Sequence, residues 1–133
     1  MPKFDKKKQK RLKEFLYNKY IHDAKLENLM YKYGEDSIKI ELCNPIFNVK
    51  IDFIFYGVEL VLAIKGKECG NRETIISLTV EDDFSYLHNY IPKQNESIEN
   101  HLYLVFQMFS GDELHIATKE VTVETSNLNT DKE

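Results

Sequence analysis

The sequence predicts a mainly β domain. We expect an antiparallel meander of about seven or eight strands, forming a sandwich or partly open barrel, with one amphipathic helix at its N-terminus. Three observations carry this. From Ser37 onward apolar residues recur with period two. Clusters of Gly, Asn, Asp and Pro interrupt these runs at short intervals, without helical patterns between them. The aromatic content, 12% of 133 residues, is all Phe and Tyr, which suit a pleated, half-buried surface.

The helix comes first. From Asp5 to Tyr20 there is no Gly or Pro, and Leu12, Phe15, Leu16 and Tyr20 recur on one helical face while lysines cover the rest. So narrow a stripe does not stabilise an isolated helix, and a contact with the core is expected. After His22-Asp23 the pattern weakens, and this pair is read as the chain's entry into its first strand.

Ile38, Ile40 and Leu42 then alternate with Lys39, Glu41 and Cys43 in a half-buried strand. Past Asn44-Pro45, Val49, Ile51, Phe53 and Phe55 form the inward face of a second strand, and Gly57 permits a kink before Val58, Leu60, Leu62 and Ile64. The polar segment 66–73 reads as a hairpin loop leading to a strand over Thr74–Val80. Phe84, Tyr86, His88 and Tyr90 are expected on one face of the next strand, which Ile91-Pro92 ends. A polar loop over 93–100 precedes the strand HLYLVFQMF. After the turn at Ser110-Gly111, Leu114, Ile116, Val121 and Val123 make the last strand or pair of strands. The expected division is a helix over 1–20, a β domain over 21–124 and a frayed polar tail over 125–133.

The net charge of −4 hides an asymmetry. Residues 1–20 carry eight Lys/Arg against Asp5 and Glu14, and the remainder carries ten basic residues against twenty acidic ones. An acidic body repels phosphate backbones, so nucleic-acid contact is confined to the N-terminal segment, whose lysines are expected to face solvent near their own acidic body. Cys43 and Cys69 form no CxxC pair, which fits reduced thiols in a cytoplasmic protein. The N-terminus lacks the apolar core of a secretory signal, and the apolar run 51–64 is broken by Asp52, Gly57 and Glu59. Neither export nor membrane insertion is expected.

Nucleophile elbow, Gly-rich phosphate loop and HExxH are all missing from the sequence. The four histidines have no metal-ligand spacing among them, and no metal or cofactor is expected. Alternation places His88 with Tyr86 and Tyr90, and His101 with Tyr103. If those strands pair, the five residues line one polar-aromatic surface, the candidate site for a partner or ligand. His22-Asp23 resembles the metal-binding pair of a phosphohydrolase family. That family is helical and needs further His and Asp at helical positions, so a local structural role is expected here.

The order of elements, with His22-Asp23 before a strand, Phe55-Tyr56-Gly57-Val58 mid-chain and Gly111, Ile116, Val121 and Val123 near the end, is similar to a broad group of small bacterial proteins. Some of these look like immunity proteins of polymorphic toxin systems. The resemblance covers residues 21–124, leaves out the basic helix, and supplies no catalytic residues.

Taken together, the residues favour a non-catalytic protein-interaction domain, immunity-like in type, whose acidic tyrosine-bearing body covers a basic partner. The alternatives are a ligand-binding or enzymatic β-barrel built on the His and Tyr residues, and nucleic-acid binding through the basic helix.

Overall fold

In a computed structural model describing residues 2–66, 74–91 and 96–127, the alternating runs become strands β2 (Lys25–Lys32), β3 (Ser37–Asn44), β4 (Val49–Ile64), β5 (Ile75–Val80), β6 (Leu102–Met108) and β7 (Glu113–Asn127). A short N-terminal strand, β1 (Lys3–Asp5), brings the number among the described residues to seven, all in one antiparallel sheet. The order is β2-β3-β4-β7-β6-β5, and β1 pairs with β7 beyond the end of β6.

Two runs of consecutive strands therefore meet along β4 and β7. Because β4 and β5 are not neighbours, the connection expected to be a hairpin is a crossover instead; its residues 67–73, including Cys69, lie outside the described residues.

The sheet curls without closing. Its two edge strands approach at one end, where Lys25 and Thr74 form an isolated bridge and Asp23 N–H donates to the Ile75 carbonyl at 3.0 Å. Inside the curl, Ile38, Ile40, Leu42, Ile51, Phe53, Phe55, Leu104 and Phe106 are buried with Val121 and Val123. Phe106 meets Phe53 and Phe55 edge-on at centroid distances of 6.0 and 6.4 Å. Side chains fill this interior.

The helix is shorter than expected. Lys6–Lys8 form a 3-10 turn and α1 spans Gln9–Leu16. Asn18 stops it: its side-chain amide donates to the Phe15 carbonyl, and its Oδ1 accepts the Tyr20 N–H at 2.9 Å. Leu12 and Leu16 are buried in the main core, Phe15 packs against it, and Tyr20 lies beyond the helix, exposed. The helix rests on β1 and β5. Among the described residues no helix is long and apolar enough to cross a membrane.

Gly57 adopts φ +65°, and the β4–β7 register shifts between Val58 and Leu60. The bulge turns β4 over. Ile51, Phe53, Phe55 and Val58 face the main core, whereas Leu60 packs on a second cluster outside the sheet with Phe84, Leu87, Ile91, Ile98, Tyr103 and Ala117. Val58 and Leu60 therefore lie on opposite faces of the sheet.

At the far end, β7 continues to Asn127, pairing Thr125 with Ile51, so the strand enters the segment expected to fray; residues 128–133 lie outside the described residues.

Candidate functional site

The second cluster forms because residues 81–91 fold back over the outer face of β6 and β7. This segment is not the expected strand. Leu87, His88, Asn89 and Tyr90 N–H groups donate to the carbonyls of Phe84, Ser85, Tyr86 and Leu87, and Leu87–Asn89 is a 3-10 turn. Asp83 starts it by accepting the Ser85 N–H at 2.9 Å and the Ser85 hydroxyl, bonds that hold its carboxyl below the usual range. The buried residues are Phe84, Leu87 and Ile91, spaced three and four apart as on a helical face, so Tyr86 and Tyr90 are left on the outside.

On the strands beneath, Leu114 and Ile116 point inward, and alternation turns Glu113, His115 and Ala117 outward. The register sets Val105 opposite His115 and Tyr103 opposite Ala117, which makes Tyr103 and His115 diagonal neighbours. The Tyr103 hydroxyl lies 2.7 Å from His115 Nδ1, and His115 Nε2 lies 2.7 Å from Glu113 Oε1.

A carboxylate only accepts, so Nε2 carries hydrogen; in the neutral ring, Nδ1 then accepts from Tyr103. Tyr103 is 3% exposed and His115 5%. Tyr86 stacks on the imidazole at 5.1 Å and 27°, and Tyr90 lies 5.7 Å from Tyr86.

Tyr86, Tyr103, Glu113 and His115 line an open cavity of about 580 Å³ together with Glu81, Asp83, Ser85 and Gln107. Three carboxylates border it, and no lysine or arginine does among the described residues. Burial pushes the Tyr103 hydroxyl up to about 12, and Glu81, Tyr86, Glu113 and Asp83 add to the shift. A hydroxyl held there keeps its proton at neutral pH, so Tyr103 is a donor to His115 Nδ1 and fixes the ring's orientation.

Of the five residues expected to form one surface, Tyr86 and Tyr103 line this cavity and Tyr90 stands beside Tyr86. His88 turns toward Glu99, 3.6 Å away, and His101, buried before β6, is not a lining residue. The imidazole of the site is His115, which sequence reasoning missed along with Glu113. The alternation of Glu113, His115 and Ala117 against inward Leu114 and Ile116 was the available signal.

His22-Asp23 sits in a turn, with Asp23 at φ +69° and its carboxylate 3.1 Å from His22 Nδ1. Asp23 N–H donates to the Ile75 carbonyl and Ile75 N–H to the Ala24 carbonyl, which joins the chain to the β5 edge here. The side chains of the pair face each other at the turn, in keeping with a local contact and with no further ligand grouped around them among the described residues. Among the described residues, no three His, Cys, Asp or Glu are grouped to hold a metal.

Several N-terminal lysines meet the acidic body: Lys13 bonds Asp82 at 2.6 Å, Lys3 lies 3.3 Å from Glu120, and Lys6 sits 4.8 Å over the Phe84 ring. A second concavity, of about 440 Å³, runs beside β5 between Leu16, Ile21 and Leu78 and gathers no carboxylate.

Compared with protein-family models and with curated proteins, the chain has no significant match.

Proposed function

We propose that this protein is a non-catalytic interaction domain, immunity-like in type, that binds a basic protein surface through the outer face of β6 and β7 and the overlying segment 81–91. The observation that carries this reading is the cavity itself: tyrosine rings and three carboxylates meet there without a lysine or arginine among the described residues. Tyrosine supplies a rigid, amphipathic contact at low entropic cost, and an acidic rim steers a cationic partner. Covering a basic nuclease surface is the role such a face suits.

A ligand-binding barrel has less support, because aromatic side chains occupy the inside of the sheet. Nucleic-acid binding through α1 is likewise weakened, since Lys13 and Lys6 engage the domain's own Asp82 and Phe84.

The test is photo-cross-linking in the cells that make the protein, with benzoylphenylalanine at Tyr86 or at the exposed Met30 on the β2 edge. The expected result is a discrete protein adduct from position 86 that weakens with Glu113→Lys and is absent from position 30. An adduct from position 30 alone would place the partner elsewhere.

A further inference from the structure

We infer that the cavity is a socket for an arginine side chain of the partner, an inference that rests on the binding face proposed above. A guanidinium is planar, stacks on aromatic rings and donates two parallel hydrogen bonds to a carboxylate. The cavity offers both complements. Tyr86 is fixed as a platform because its ring stacks on His115 at 5.1 Å, and Tyr90 stands against it at 5.7 Å.

The carboxylate is Glu113, one-third exposed, whose Oε1 is held by the His115 N–H at 2.7 Å. His115 is in turn fixed by the Tyr103 hydroxyl at 2.7 Å, so a buried chain sets the carboxylate's orientation before any ligand arrives. Glu81 and Asp83 border the same space and add negative potential.

Some carboxylates elsewhere on the molecule pair with lysines, as Asp82 does with Lys13 and Glu120 with Lys3. Among the described residues the cavity carboxylates have no such partner, and the volume of about 580 Å³ accommodates a long side chain. Lysine satisfies the charge but neither the stacking nor the bidentate geometry. His115 and Tyr103 are positioning residues, acting through Glu113 and Tyr86.

The experiment is an NMR titration of the full chain with N-acetyl-arginine methylamide, its uncharged citrulline counterpart and the lysine analogue. Expected are saturable shifts confined to Tyr86, Tyr90, Glu113 and His115 with the arginine compound, weaker ones with lysine, and none with citrulline. Glu113→Gln and Tyr86→Leu should each weaken arginine binding by about tenfold, because one removes the charge-assisted pair and the other the stacking face. His115→Gln, which can still donate to Glu113, should retain more binding than His115→Leu.

Equal shifts with citrulline, or shifts centred on another surface, would overturn the socket. If position 86 cross-links to a partner but arginine does not bind here, the socket fails while the binding face stands. If neither is found, both fail.

Discussion

Asp52 is a carboxylate the fold holds against its own interest. On the outer side of β4 it stands directly opposite Glu41 of β3 and Glu124 of β7. Burial raises its carboxyl above the ordinary range; Lys50 and Lys39 pull it down, and Glu41 and Glu124 push it up. With the native value above the unfolded one, ionised Asp52 costs stability at neutral pH, and stability is regained as pH falls through the native titration. Asp52→Asn should stabilise the protein at pH 7 by up to about 1 kcal/mol and remove that gain, as urea unfolding at several pH values would reveal.

Tyr103 is shifted in the same direction, but its window lies above neutral pH. Its native hydroxyl titrates at about 12. The stability it contributes is complete below the unfolded tyrosine value of about 10 and is lost as pH rises from there to the native value. Tyr103→Phe should flatten alkaline unfolding in that window. At neutral pH it should cost about 1–3 kcal/mol by leaving the His115 ring nitrogen unpaired.

Tyr86 and Tyr103 were expected on one surface and do line one cavity, although Tyr86 reaches it from a turn and not from the expected strand. His88 was not separable from them, because Tyr86, His88 and Tyr90 fit a period of two while Phe84, Leu87 and Ile91 fit a helical one. Burial chose the second.

Among the elements, β3 and the first half of β4 were readable because one face is buried throughout; Phe53 and Phe55 are inward and fully buried, as the alternation requires. β2 was faint for a physical reason. It is an edge strand exposed along nearly its whole length, with Leu29, Met30 and Tyr31 on the surface, so no burial imposes an alternation. β1 is three residues long, too short for any period to register.

The Gly57 bulge is the element that directs the second half of β4 onto the outer cluster. Gly57→Ala forces a side chain into a left-handed conformation, with the new Cβ 2.9 Å from Lys119 side-chain atoms. It should cost about 1–2 kcal/mol, measurable by thermal unfolding. The helix is bound to the main inner core: Leu12→Ala should destabilise by about 2–5 kcal/mol, whereas replacing Lys7 and Lys8 with Gln should change the melting temperature little.

At the scale of the whole molecule, the mainly antiparallel β architecture followed from composition and periodicity, but the path of the sheet did not. Pairing β4 with β7 joins segments that local pattern does not connect, and the bridge between Lys25 and Thr74 depends on curl that no local run encodes. The consequence is a filled inner face and an outer face on which Tyr86, Tyr103, Glu113 and His115 converge.

Hydrogen–deuterium exchange with the cross-linked partner, once purified, tests the proposed binding role of the outer face directly. The expected result is slowed exchange in residues 81–91 and 102–118 on adding the partner, reduced by raising salt and by Glu113→Gln. Protection confined to residues 25–44, on the β2–β3 edge, would contradict it.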